Sequence, residues 1–134
     1  MKEVKKKFIP VMITPFLENG NVDFDGLSAI TELYVETGAA GLFANCLSSE
    51  MYELNENERL AIVSHVVSKV NRFIPVVATG TFGGSISEQA EFVKKISDTG
   101  IQAVIVNSNM LAEESEPASV FNERMYELLN LTEG

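Results

Sequence analysis

Residues with chemistry to offer gather behind short apolar runs. Cys46 closes the run 41–46, and Ser48, Ser49 and Glu50 follow it directly. A thiol attacks only as its thiolate, and no base stands near Cys46 in sequence, so a small residue at a strand end is the better reading. Glu50 is of the right type for acid–base work. A serine behind a strand ordinarily opens a turn. His65 shares a helical face with Glu58 and Lys69, opposite an apolar stripe, which reads as a solvated imidazole. Thr79-Gly80-Thr81-Phe82-Gly83-Gly84 is glycine-rich ahead of a helix, a setting that can cradle phosphate. It lacks the Gly-x-Gly-x-x-Gly spacing and the Lys-Ser/Thr pair of a P-loop. No His, Cys, Asp or Glu cluster has metal-ligand spacing, so neither metal nor cofactor is implied.

The elements that must position these groups are legible in the pattern. Four apolar runs, 8–13, 41–46, 74–78 and 103–106, are continuous rather than alternating, as expected of strands buried on both faces of a parallel sheet. Helical periodicity fills the gaps: Phe24, Leu27, Ile30 and Tyr34; Leu60, Val63, Val67 and Val70; Ile86, Ala90, Val93 and Ile96; Phe121, Met125, Leu128 and Leu129. Asp23, Asn55 with Glu58, and Ser85 or Ser87 with Glu88 suit helix starts, and Ser115-Glu116-Pro117 offers a cap and an early proline for the fourth helix. Gly38 and Gly100 suit helix ends. That last helix is expected to reach Leu129, with 130–134 as a loop toward a fifth strand.

The order is βαβαβαβα over a single domain, 1–134, in an α/β fold. Pro10, Leu42, Pro75 and Val104 recur at intervals of about 30 residues, the spacing that ~250 residues shared among eight βα units would give. On pattern alone a complete four-stranded doubly wound domain remains open.

Composition narrows the partners. Net charge is −9 and 46% of residues are hydrophobic. Such a chain forms a core and repels phosphate backbones and anionic lipid, so nucleic acid and membrane are not expected partners. No apolar run approaches the ~20 residues of a bilayer span, and the basic start, Met1 to Lys7, runs into Pro10 and Pro15 rather than a cleavable apolar segment. One cysteine, Cys46, forbids an internal disulfide and fits a cytoplasmic setting.

The strand ends and turns carry a more specific likeness. Pro10-Val-Met-Ile-Thr-Pro-Phe16 with Glu18-Asn-Gly20 and Val22-Asp23, then Thr37-Gly-Ala-Ala-Gly-Leu42 through Glu50 to Leu54-Asn-Glu-Asn-Glu-Arg59, form the first two blocks. Ile74-Pro-Val-Val-Ala78 with Thr79-Gly-Thr81, and Asp98-Thr-Gly-Ile-Gln-Ala-Val-Ile-Val106, form the others. In this order and spacing they resemble the dihydrodipicolinate synthase / N-acetylneuraminate lyase family over nearly the whole chain. The resemblance implies the first four βα units of a (β/α)₈ barrel, a half barrel of parallel strands with its site at their C-terminal ends. It implies a lyase or aldolase forming a Schiff base between pyruvate, or another oxo acid with a pyruvyl unit, and a lysine on the sixth strand, with a tyrosine on the fifth as proton relay. Both lie beyond Gly134. The lysines at 2, 5, 6, 7, 69, 94 and 95 are not at strand ends, so no catalytic residue is expected in this chain and the polypeptide alone is expected to be inactive.

The same resemblance lays the family's substrate-carboxylate loop on Cys46-Leu47-Ser48-Ser49-Glu50. It implies substrate contacts at Ser48 and Ser49, through hydroxyl and backbone N–H donors, and a loop-fixing role for Glu50. Leu47 replaces a relay hydroxyl, and Leu111, in Ser108-Asn109-Met110-Leu111, replaces a relay tyrosine. Two apolar replacements point to a divergent branch with another substrate, or to a homologue that binds without catalysis. Open strand edges imply a homo-oligomer, or a half barrel that pairs with a second half.

Overall fold

The computed structural model describes residues 6–133. Its helices and strands alternate: α1 (Phe24–Glu36), β1 (Leu42–Asn45), α2 (Glu56–Val70), β2 (Val76–Thr79), α3 (Ile86–Ser97), β3 (Ala103–Ile105) and α4 (Ala118–Thr132). Short 3₁₀ turns, Leu47–Ser49 and Ser108–Met110, follow β1 and β3. The strands form one parallel sheet in the order β1-β2-β3, with Phe43 beside Val77 and Val77 beside Ala103. Helix α1 packs on α2, α2 on α3 and α3 on α4. Strand order that follows chain order beneath a continuous helical layer is the arrangement of consecutive barrel units, and it lacks the reversal of a doubly wound sheet.

Local chemistry sets the helix boundaries. Asp23 accepts from the Gly26 N–H, and Asn55–Glu58 and Ser85–Glu88 form reciprocal capping boxes. Ser85, not Ser87, is therefore the cap of α3. Gly38 and Gly100, at φ +85° and +94°, follow α1 and α3 in the left-handed region. The start of α4 differs from expectation: Pro117 is itself the capping position and Ser115 lies outside. Glu116 instead accepts from the Glu113 N–H and pairs with Arg124 through both carboxylate oxygens. The helix also runs past Leu129 to Thr132, whose hydroxyl donates back to the Leu128 carbonyl.

Three strands form where four apolar runs were counted. Residues 8–13 lie alongside β1 but make a single parallel bridge, Val11 to Phe43. The Phe43 N–H donates to the Pro10 carbonyl and the Met12 N–H to that of Phe43. Continuing the ladder backward would require a Pro10 N–H, which proline lacks.

The strands are buried on one face only, not on both. Met12, Leu42, Ala44, Val76 and Ala78 pack into one core with Leu27, Ile62, Val63, Val66 and Ile96 from the helices. On the opposite face Val11 and Ile13 are 47% and 54% exposed, and the cross-strand row from Val11 through Phe43 and Val77 ends at exposed Ala103. The helical layer covers one side, so the apolar pattern of the runs does not become two-sided burial within this chain.

Two outcomes follow from this packing. Gly80 directly follows β2, where an added Cβ would collide with Val104 and crowd Val93. Gly80→Ala is expected to destabilise the fold by about 1–3 kcal/mol, measured from urea midpoints at unchanged slope. The bonds from Ser85 hold the Glu88 carboxyl below its ordinary 4.5, and those from Glu113 and Arg124 do the same for Glu116. Both folded values are depressed, so their stabilisation is full above the unfolded value and fades as pH falls through the folded one. Glu88→Gln with Glu116→Gln should lower the neutral plateau of Tm slightly and flatten its acid limb below about pH 4.5.

Candidate functional site

The C-terminal ends of the strands are knitted together by hydroxyl groups. Fully buried Ser49 donates its hydroxyl to the Met12 carbonyl at 2.6 Å and accepts from the Cys46 N–H at 3.1 Å. Its own carbonyl accepts the Thr14 hydroxyl at 2.8 Å. These bonds lash the first extended segment to the turn behind β1. On the neighbouring strand end, buried Thr81 accepts the Asn107 N–H at 2.8 Å, tying the turn behind β2 to the segment behind β3. Thr79-Gly80-Thr81-Phe82-Gly83-Gly84 is thus a strand-to-helix turn.

The geometry separates the two serines. Ser49 has its hydroxyl committed, and its N–H donates to the Cys46 carbonyl within the 3₁₀ turn. The backbone and hydroxyl donors expected to face a substrate at Ser49 are therefore spent on the fold. Ser48 is exposed on the turn. The N–H groups of Leu47 and Ser48 lie in its first turn, ahead of the bond that Ser49 closes, where a helix supplies no internal acceptor. Leu47 is 72% exposed beside them. Glu50 follows at φ +58°, closing the turn through its N–H to the Leu47 carbonyl.

Other candidates resolve into packing. Cys46 is buried, with Sγ 3.3 Å from the Ser49 hydroxyl. Leu111 is buried with Ala90, Val93 and Leu128 between α3 and α4, so its side chain serves the core. His65 is not a free surface imidazole: Nε2 lies 2.7 Å from the Ser28 hydroxyl and its ring packs on Phe24, which joins α2 to α1. Lys69 and Lys95 pair with Glu32 and Glu56 on the helices. Among the described residues no group of three His, Cys, Asp or Glu is arranged to hold a metal, and no helix is long and apolar enough to cross a membrane.

Two residues escaped the reading of the sequence. Arg59 donates from Nε to the Met51 carbonyl and lies 3.8 Å over the Phe82 ring, clasping the turns behind β1 and β2. Partial burial lowers its pKa from the ordinary arginine value, opposed by Glu56, Tyr52 and Glu58. Asn45 ends β1 with no exposed surface, at the point where the register with β2 shifts. A polar residue inside the run 41–46 was the available signal, since buried polar groups are the informative exceptions in apolar runs. For Ser49, removing the hydroxyl strands the Cys46 N–H in the interior. Ser49→Ala is expected to cost about 1–3 kcal/mol in denaturant unfolding, while Ser48→Ala stays within about 0.5 kcal/mol of the parent.

Comparison with known proteins bears on the family and the fold. The family model described as the dihydrodipicolinate synthetase family matches residues 5–109. The 4-hydroxy-tetrahydrodipicolinate synthase of Bacillus subtilis (strain 168) is 33% identical over 95 residues, covering 71% of this chain and 32% of that protein. Its counterpart in Methanococcus maripaludis (strain C7) is 33% identical over 97 residues, covering 72% and 33%. Among solved structures, the chloride-inhibited dihydrodipicolinate synthase of Acinetobacter baumannii complexed with pyruvate superposes with a TM-score of 0.85 at 21% identity, over 95% of this chain and 43% of that one. YagE, a prophage protein of the dihydrodipicolinic acid synthase family from E. coli K12 in complex with pyruvate, gives 0.81 at 21%, over 96% and 42%. The chain spans about a third of the length of the curated relatives it matches. Its open parallel sheet and helical layer correspond to part of a TIM barrel, and the chain belongs to the dihydrodipicolinate synthetase family.

Proposed function

We propose that this chain is the N-terminal part of a carbon–carbon lyase that acts on pyruvate or a pyruvyl-containing oxo acid through a Schiff base. The observation that carries the reading is the turn behind β1. It stands at a C-terminal strand end, where such barrels work, and presents the Ser48 hydroxyl with the N–H groups of Leu47 and Ser48. Donors so arranged suit a substrate carboxylate, and Ser48 is its contact in this half. Ser49 acts behind it by fixing the turn. The family membership and the pyruvate named with two structural relatives support the substrate class.

The imine-forming lysine comes from residues outside this chain. Lys69, Lys94 and Lys95 sit on α2 and α3, and Lys6 and Lys7 precede the first extended segment. The uncovered apolar sheet face and two parallel edges of this chain need partners, which the remaining strands of a barrel or a second copy would supply; a cytoplasmic homo-oligomer is the setting we assign. Leu47 favours a second reading. An exposed leucine at the relay position neither donates nor accepts a proton, which suits a homologue that binds oxo acids without cleaving them.

Borohydride reduction in the presence of pyruvate tests the chemistry. The chain of 134 residues is expected to show no mass adduct; an adduct on Lys69, Lys94 or Lys95 would overturn the placement of the nucleophile. Reading the coding DNA past codon 134 is expected to reveal a tyrosine-bearing fifth strand and a lysine-bearing sixth. On sizing, the chain should run as an oligomer or aggregate, and a well-behaved monomer would sink the open-sheet account.

A further inference from the structure

The turn between the first extended segment and α1 sets an asparagine directly before a glycine. Of the asparagines in the chain, Asn19 alone has glycine as its successor, Gly20. Both residues are exposed. The turn is closed at its base by the antiparallel bridge of Phe16 with Val22 and by the Leu17 N–H to the Asn21 carbonyl. At its tip Gly20 takes φ +85°, and a Cβ placed there would meet nothing within 4 Å. The Asn19 side chain folds back on its own backbone, with Oδ1 accepting the Asn21 N–H at 3.0 Å. That bond draws Cγ toward the intervening Gly20 nitrogen and polarises the Cγ carbonyl.

We propose that Asn19 is a modification site, at which the folded chain converts asparagine to isoaspartate without an enzyme. The Gly20 nitrogen attacks Cγ of Asn19, forming a C–N bond while its proton passes to solvent. Negative charge gathers on Oδ1, where the Asn21 N–H already donates. The Cγ–Nδ2 bond then breaks, and Nδ2 takes a proton from water and leaves as ammonia. A second water opens the five-membered imide. Cleavage at the main-chain carbonyl leaves isoaspartate, with the chain routed through Cγ, and cleavage at Cγ leaves aspartate. The sum consumes one water, releases one ammonia and involves no oxidation.

One contact opposes the reaction. The Gly20 N–H donates to the Leu17 carbonyl at 2.9 Å and must be freed before its nitrogen attacks. A surface turn closed by a single bridge opens at low cost. Other asparagines lack the combination: Asn45 is buried, Asn55 caps α2 through Oδ1, and Asn71 precedes Arg72.

The test incubates the chain in mildly alkaline buffer, which favours the deprotonated amide, and then cuts it with trypsin. Residues 8–59 form one fragment, because no Lys or Arg falls between Lys7 and Arg59. That fragment is expected to gain one mass unit with time, located at position 19 as isoaspartate mixed with aspartate. The intact product carries one more negative charge and should elute later from an anion-exchange column. Asn19→Gln, whose longer side chain closes the ring several-fold more slowly, is expected to lose the gain. A gain at another asparagine, or one that survives in Asn19→Gln, would overturn the inference. So would a folded chain that stays unchanged, whether or not the urea-unfolded chain reacts. The lyase reading is decided separately, by the borohydride adduct and the coding sequence.

Discussion

Behind β1, a single hydroxyl satisfies two backbone groups from separate stretches of chain. Ser49 reaches the Met12 carbonyl and the Cys46 N–H at once, and its carbonyl receives Thr14. In an interior from which water is excluded, each of these groups would otherwise be stranded. The constraint fixes where the first segment meets β1 and how the chain turns behind it. The exposed turn is therefore built from beneath by a residue with no exposed surface of its own.

The same division runs through the sheet. Side chains toward the helices form a dry core, whereas the other face keeps Val11 and Ile13 in contact with solvent. A barrel resolves this by closing, so that inward side chains pack against those of distant strands. Here the inward row stands ready for such packing, with the candidate turn at its rim.

Much of this was legible because local signals agreed with one another. Asp23, Asn55 and Ser85 announced helix starts by chemistry that acts within three residues, and continuous apolar runs announced a parallel sheet. The failures concern relations that span the chain. Nothing near Ser49 in sequence says that its partner is Met12, so it reads as a second ligand rather than a brace. His65 looked solvated from its own helix, and only α1 supplies Ser28 and Phe24. Leu111 was assigned by its place in a motif, while packing against Leu128 decided its direction. Pro10 was visible, but its effect depends on which neighbour would have accepted the missing proton.

The proline has a consequence for motion as well as for pairing. With one rung absent, the first segment adheres through the bridge at Phe43, the Ala40 N–H to the Phe8 carbonyl, the buried Met12 side chain and the hydroxyl links from Thr14 and Ser49. Segments held by few buried contacts are the first to fray, at a fraction of the global unfolding energy. Fraying here would withdraw Met12 and Thr14 from Ser49, and the turn behind β1 would lose its brace. The order of the turn that carries Ser48 is then tied to how firmly this border of the sheet is held.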